Sequence, residues 1–245
     1  MAEKRLSMKQ DEIIVYYSPV NLRHPEANWD ILSYEPLQVF DQVKENYSKE
    51  KMSFIGCPAV KNLLKNTFAW KNTLRSEYQI KDGNVEIVSK QGIAGFIDHQ
   101  PTIKDNVLLI IMQSFALFCE EDSLEVELTA PYFEKAQHLQ YGAVVPGRFD
   151  IAKWYRPINI EFNLWANQNY FSLDEDETMA YLSFKTDKQV KLVRYQMTEE
   201  LVKIQRVVSD SATWNPKVPL SNRYQRFKRS RMKDIVLKEI KKNVV

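Results

Sequence analysis

GRFDIAKWYRPINIEFNLWANQNYFSLDEDETMAYLSFKTDKQVKLVRYQMT, residues 147–198, alternates aromatic and β-branched residues with polar ones, broken by short acidic or amide-rich turns. That alternation predicts an antiparallel strand meander, with strands near 148–155, 157–165, 169–173, 178–185 and 189–197. The block fixes a fold class and shows no arrangement of residues that chemistry requires.

Upstream, Asp11–Tyr17 (DEIIVYY) reads as a first strand ended by Ser18-Pro19. Residues 21–36 carry Pro25, Trp29 and Pro36 and read as an irregular, Trp-anchored connection. Leu37, Phe40, Val43 and Tyr47 fall at helical spacing, with Glu35-Pro36 as a start. Cys57-Pro58-Ala59 opens one or two helical turns before a strand at Phe68–Trp70. Tyr78–Ile80 and Val85–Val88 flank Asp82-Gly83, whose positive φ angles suit a tight hairpin. Residues 107–119 (VLLIIMQSFALFC) are too apolar for a half-exposed strand and read as a central one, covered on both faces and bent near Gln113-Ser114. Glu120–Ser123 makes the turn, and Leu124–Leu128 alternates on the return, before a loop from Ala130 to Pro146 that holds His138.

Downstream, Glu199–Val208 reads as a helix with Leu201, Ile204 and Val208 inward and Thr198 as its N-cap. Residues 210–220 carry Pro216 and Pro219 and read as an ordered linker. From Asn222 to Lys242 the chain is helix-permissive, with a patchy apolar stripe of Tyr224, Phe227, Met232, Ile235, Val236 and Ile240. The expected architecture is mainly β, an antiparallel β-sandwich or flattened barrel with a helix in the N-terminal half and a basic C-terminal helical appendage. Residues 1–210 form a single domain, and 211–245 the linker and tail.

At 245 residues, 44% hydrophobic and 27% charged, the chain has ample material for a packed core and does not read as disordered. The longest apolar run, Val107–Met112, is far short of the about 20 residues that cross a bilayer. The N-terminus lacks a signal-peptide pattern, so the expected location is inside a cell, which does not exclude assembly into a virus particle. Cys57 and Cys119 are too few for a disulfide framework and are expected as buried thiols.

Charge is asymmetric. Residues 221–245 carry nine Lys or Arg against Asp234 and Glu239, a net +7, which leaves −5 for residues 1–220 of a chain whose total is +2. Such a tail suits phosphate backbones, a membrane surface, an acidic protein face, or the acidic body of its own chain or of a neighbouring subunit. Its candidate partner- or nucleic-acid-binding residues are Arg223, Tyr224, Arg226, Phe227, Lys228, Arg229, Arg231 and Lys233, since aromatics among cations stack bases while neutralising phosphates. Trp154, Tyr155 and Arg156, before Pro157, form a second candidate interface on an edge strand; the alternative is that Trp154 is core.

Catalytic motifs are sparse. The histidines are His24, His99 and His138, and Asp98, His99 and His138 form the candidate metal site of the two-histidine, one-carboxylate kind, although neighbours on a strand point to opposite faces. There is no Gly-x-Ser-x-Gly elbow, and no phosphate-binding glycine motif among six glycines, with Gly92 and Gly95 read as a strand bulge. Cys57 before Pro58 is the best single nucleophile candidate, against packing the helix on the sheet. The acidic runs Glu120–Asp122 and Asp174–Glu177 lack calcium-loop spacing and read as solvated turns. No catalytic residue, metal ligand or cofactor is assigned.

Cys57-Pro58-Ala59, Asn66-Thr67-Phe68, Gly147–Ile151 and Trp154-Tyr155-Arg156-Pro157 together resemble a group of uncharacterised proteins encoded by tailed bacteriophages, particularly marine ones. The resemblance spans roughly residues 55–200. It implies a phage origin and carries no activity. The resulting expectation is a non-enzymatic protein acting through protein–protein contacts or self-association by its tail, as a virion or assembly subunit. Nucleic-acid binding by the tail and a divergent metal-dependent β-barrel enzyme are the alternatives.

Overall fold

The structure, a computed structural model, describes residues 11–20, 35–47, 53–81, 84–88, 98–101, 108–165, 168–214 and 220–245. His24, the Trp29 connection, the Asp82-Gly83 turn and the Gly92/Gly95 pair lie outside them. The strands of the first half are β1 (Glu12–Val20), β2 (Leu37–Gln38), β3 (Thr67–Lys71), β4 (Ser76–Lys81), β5 (Asn84–Ile87), β6 (Asp98–Pro101) and β7 (Leu108–Cys119). Those of the second half are β8 (Glu125–Thr129), β9 (Gly142–Val144), β10 (Gly147–Asp150), β11 (Pro157–Leu164), β12 (Tyr170–Leu173), β13 (Thr178–Phe184) and β14 (Gln189–Arg194). The helices are α1 (Val39–Tyr47), α2 (Pro58–Leu64), α3 (Glu199–Trp214), α4 (Leu220–Arg229) and α5 (Met232–Lys242).

The protein is mainly β, a sandwich of curled sheets with helices on both outer faces. One sheet runs β14-β1-β7-β11-β9, with β6 beside β7; the second runs β10-β8-β13-β3-β2, and a third, smaller one β12-β4-β5. The period of two along each strand divides its side chains between layers. On β1, Ile13, Val15 and Tyr17 enter the core between the sheets, whereas Ile14 and Tyr16 enter a second cluster on the outer face. On β7, Phe115, Leu117 and Cys119 face inward and Ala116 and Phe118 outward. The outer cluster is closed by Leu201 and Ile204 of α3, Phe227 of α4, and Val236 and Ile240 of α5. On the far side, Ala69 and Tyr181 of the second sheet are covered by Val39 and Val43 of α1 and Leu64 of α2. The layer order is therefore helix, sheet, sheet, helix. It explains why this stretch reads as continuously apolar: from Ile110 to Cys119, β7 carries buried residues on both faces.

The pairing departs from a meander. No two consecutive strands of the 147–198 block pair with each other: β10 joins β8, β11 lies between β7 and β9, β12 joins β4, β13 lies between β8 and β3, and β14 runs parallel to β1. Each connection instead carries the chain to another sheet. Likewise Glu120–Ser123 is not a hairpin turn, because β8 leaves β7 for the second sheet. The expected bend of β7 is present as a register shift, with Gln113 opposite Ile160 and Ile111 opposite Glu161, so Met112 is the extra residue.

Four further differences have local causes. β1 continues through Ser18-Pro19, because β14 pairs with it only as far as Tyr17; beyond that β7 is its one partner strand, and proline's missing N–H is tolerated. β10 stops at Asp150, whose carboxylate accepts hydrogen bonds from the Ser123 hydroxyl (2.6 Å) and the Leu124 and Ala152 N–H groups, and so turns the chain. α3 extends past Val208 to Trp214, since Pro216 restricts only the residues immediately before it. Cys57 is exposed, because it sits outside the first turn of α2 and only Leu64 of that helix is buried. Cys119 is buried, and its thiol is pushed up to about 12 chiefly by that burial.

Candidate functional site

The segment expected as one helix is two. α4 and α5 are joined by Ser230 and Arg231, and Arg231 has φ 56° and ψ 16°, a left-handed conformation without glycine. The break lets both helices lie on the outer sheet face. Phe227, 6% exposed, packs edge-on against Phe118 at 6.1 Å, and Phe118 meets Tyr155 at 5.4 Å. The Tyr155 hydroxyl in turn shares a 2.8 Å hydrogen bond with that of Tyr195, and burial pushes both phenols up. Tyr224 meets the Trp154 ring edge-on at 4.8 Å.

The two candidate groups read from the sequence thus come together, with their aromatics facing each other. Trp154 and Tyr155 are buried, in the connection between β10 and β11 and not on an edge strand. Arg156 lies over the Trp154 ring at 5.2 Å and near the Phe149 ring at 5.9 Å. Burial pushes the Tyr224 hydroxyl up, opposed by the neighbouring charges of Arg156 and Lys153.

The cations divide by direction. Lys233 donates to the carbonyls of Glu120 (2.8 Å) and Glu121, and Lys241 pairs with the Glu120 carboxylate at 2.7 Å. Tyr16 also donates to Glu120 at 3.3 Å, and burial followed by the charge of Glu120 pushes its hydroxyl up to about 12. Lys242 pairs with Glu239 at 2.9 Å. Lys233 and Lys241 seat the tail on the acidic β7–β8 connection, whereas the Lys242 pair lies within α5. By contrast Arg226, Lys228, Arg229 and Arg231 are exposed, and none makes an ion pair among the described residues. Arg223 lies on α4, but its side chain is outside the described residues. The C-terminal residues finish the contact: Val244 bridges Tyr195, and Gln196 and Val245 N–H groups donate to Asn243 and Arg194 carbonyls at 2.8 and 3.1 Å.

Of the remaining chemical candidates, His138 is engaged structurally. His138 is buried in a 3-10 turn, Gln137–Gln140, beside β9 and β12. Its Nδ1 shares a 2.8 Å hydrogen bond with the Glu177 carboxylate, which also accepts from the His138 and Asp174 N–H groups. Burial pushes Glu177 up, but these bonds outweigh it and hold the carboxyl below its usual range. Sequence reasoning missed this pair, because the two residues are separated by more than a full strand and meet only through the sheet crossing. Asp98 and His99 lie on β6 beside β7, and no cluster of three or more metal-ligating side chains occurs among the described residues. No described helix is long and apolar enough to cross a membrane.

Asn66 and Thr67 occupy fold-building positions. Asn66 donates to the carbonyls of Thr186 (3.0 Å) and Lys188 (2.8 Å) and accepts from the Val190 N–H (3.0 Å), so it holds the β13–β14 connection. Thr67 hydrogen-bonds Ser183 at 2.7 Å between β3 and β13. A mainly β sandwich with an outward basic helical face is therefore as far as fold and site define the class. Compared with known proteins, the chain matches no protein-family model and no curated protein at a significant level.

Proposed function

We propose that this is a non-enzymatic binding protein whose C-terminal helical face engages a nucleic acid through its phosphate backbone. The observation that carries the reading is the split of the tail cations: the inward lysines are paired with the body, and Arg226, Lys228, Arg229 and Arg231 face solvent without an ion pair among the described residues. Arg156 and Lys153 add positive charge near Tyr224, although Lys153 also pairs with Asp150. Unneutralised cations on one face attract a polyanion and release its counterions.

The aromatics point to the mode of contact. Tyr224 and Phe227, the stacking candidates of the tail, pack inward against Trp154 and Phe118. Contact through phosphates rather than stacked bases supports binding to duplexes without sequence preference. For the alternative of protein–protein contact, Phe227, Val236 and Ile240 of the apolar stripe are buried in this chain, whereas Ile235 remains exposed.

Fluorescence anisotropy with a labelled duplex and the matching single strand tests the proposal. The chain binds both, the duplex at least as tightly, and replacing Arg226, Lys228, Arg229 and Arg231 with Gln abolishes binding at low salt. Undiminished binding by that variant sinks the site, and a strong single-strand preference sinks the backbone mode.

A further inference from the structure

We infer that α5 is an exchangeable element, and that the protein forms a reciprocal dimer in which each chain seats its α5 on the other chain's sheet. The hinge is Ser230–Arg231. It holds Arg231 at φ 56° with no glycine to relieve it, and α5 has no side-chain N-cap there; Ser230 bonds back to the Phe227 carbonyl at 2.9 Å. The flanking sequence, Lys228-Arg229-Ser230-Arg231-Met232-Lys233, contains no helix breaker. Two helices are thus joined by a strained bend where the local sequence favours one continuous helix.

Straightening the hinge relieves Arg231 and adds helical hydrogen bonds, but it lifts α5 off its own body. What it uncovers is a site already shaped for α5. Val236 and Ile240 are fully buried against the cluster containing Phe118, Tyr195 and Leu201. Lys233 and Lys241 reach the Glu120–Glu121 connection, and Val244 extends the end of β14 at Tyr195. A second copy offers the same groups, so two straightened chains remake every one of these contacts across a two-fold axis. Phe227 and Tyr224 keep α4 in place on Phe118 and Trp154. A short hinge under strain is the arrangement that favours such exchange, and the closed two-fold pair leaves no α5 unseated.

Two substitutions at one position separate this from charge effects, because both delete the same cation. Arg231→Gly frees the bent hinge and disfavours the continuous helix. At about tenfold for each hinge, it lowers the dimer association constant by about a hundredfold. Arg231→Val excludes the left-handed conformation more strongly and raises the constant by about tenfold. Light scattering after size exclusion, on full-length protein refolded at high concentration, reads the oligomeric state. Carbodiimide joining of Glu120 to Lys241 in a dimer made from mixed ¹⁴N and ¹⁵N chains reads whose α5 sits where. The expected product joins one light and one heavy chain. Identical oligomeric states of parent and Arg231→Gly, or a dimer whose cross-links are only within chains, overturns the inference. Should Arg231→Val fail to fold, Arg231→Gln, which deletes the same cation but keeps the hinge strain and the helix propensity, is compared with Arg231→Gly instead.

Discussion

Ile240→Ala measures whether the C-terminal helices are part of the fold or an addition to it. Ile240 is fully buried in the outer cluster with Phe118, Tyr195, Leu201 and Val236. Truncation to alanine removes three methyl or methylene groups, at about 0.8 kcal/mol each, or about 2.4 kcal/mol of lost transfer energy. The cavity left between α5 and the sheet raises this to about 3–4 kcal/mol, within the range of about 2–5 kcal/mol for such changes. With a urea m-value of about 3 kcal/mol per molar, the unfolding midpoint of the whole molecule falls by about 1 M. Lys238→Ala, on the exposed side of the same helix, is the control and moves the midpoint by less than about 0.2 M. Intrinsic tryptophan fluorescence is a suitable probe, since Trp70 is stacked on Phe115 at 4.2 Å in the central core, away from the substitution. A midpoint for Ile240→Ala matching that of Lys238→Ala refutes the view that α5 closes a core layer.

Other perturbations test separate parts of the account. Asn66→Ala leaves the Val190 N–H and two carbonyls without their partner, and lowers stability by about 2–4 kcal/mol in the same urea assay; a loss below about 0.5 kcal/mol contradicts the role given to Asn66. Glu177, held below its ordinary value of 4.5 because hydrogen bonds from His138 and two N–H groups outweigh burial, contributes stability that is present above that value and lost as pH falls through its lower folded value. Melting temperature therefore drops as pH falls below about 4.5, and Glu177→Gln flattens that limb; an unchanged acid limb rules the pair out as its source. A disulfide reagent titrates Cys57 rapidly in the native protein and Cys119 only after denaturation, given their exposure and the thiol pushed up to about 12; two fast thiols would be inconsistent with the core.

Strand positions were readable because a half-buried strand writes its environment into alternate residues. β11, for example, alternates intermediate and buried positions along Pro157–Leu164, as its sequence does. Partners were not readable, because alternation reports that a strand has two faces and not which strand lies beside it. The parallel pairing of β14 with β1 joins residues far apart in the chain, such as Glu12 and Gln189, and the Glu120–Ser123 connection looks locally like a hairpin turn. The tail shows the same limit. Its stripe and its cations were visible, but the stripe was interrupted without a glycine or proline to mark the bend at Arg231. Only the three-dimensional arrangement shows that Trp154 and Tyr224 face each other, which turns the predicted aromatic contacts inward and leaves the cations outside. Gly142 illustrates a requirement with no sequence signal at all: a Cβ there lies 2.0 Å from the Asn163 carbonyl of β11.

The salt dependence of duplex binding tests the central claim most directly. The four proposed contact cations, Arg226, Lys228, Arg229 and Arg231, each neutralising one phosphate, give a slope of log K against log salt of about −3.6. Affinity then falls about 150-fold between about 50 and 200 mM salt. A slope near that value, lost when the four are replaced by Gln, is the predicted result. Absence of binding at the lowest salt, or an affinity indifferent to salt, contradicts it.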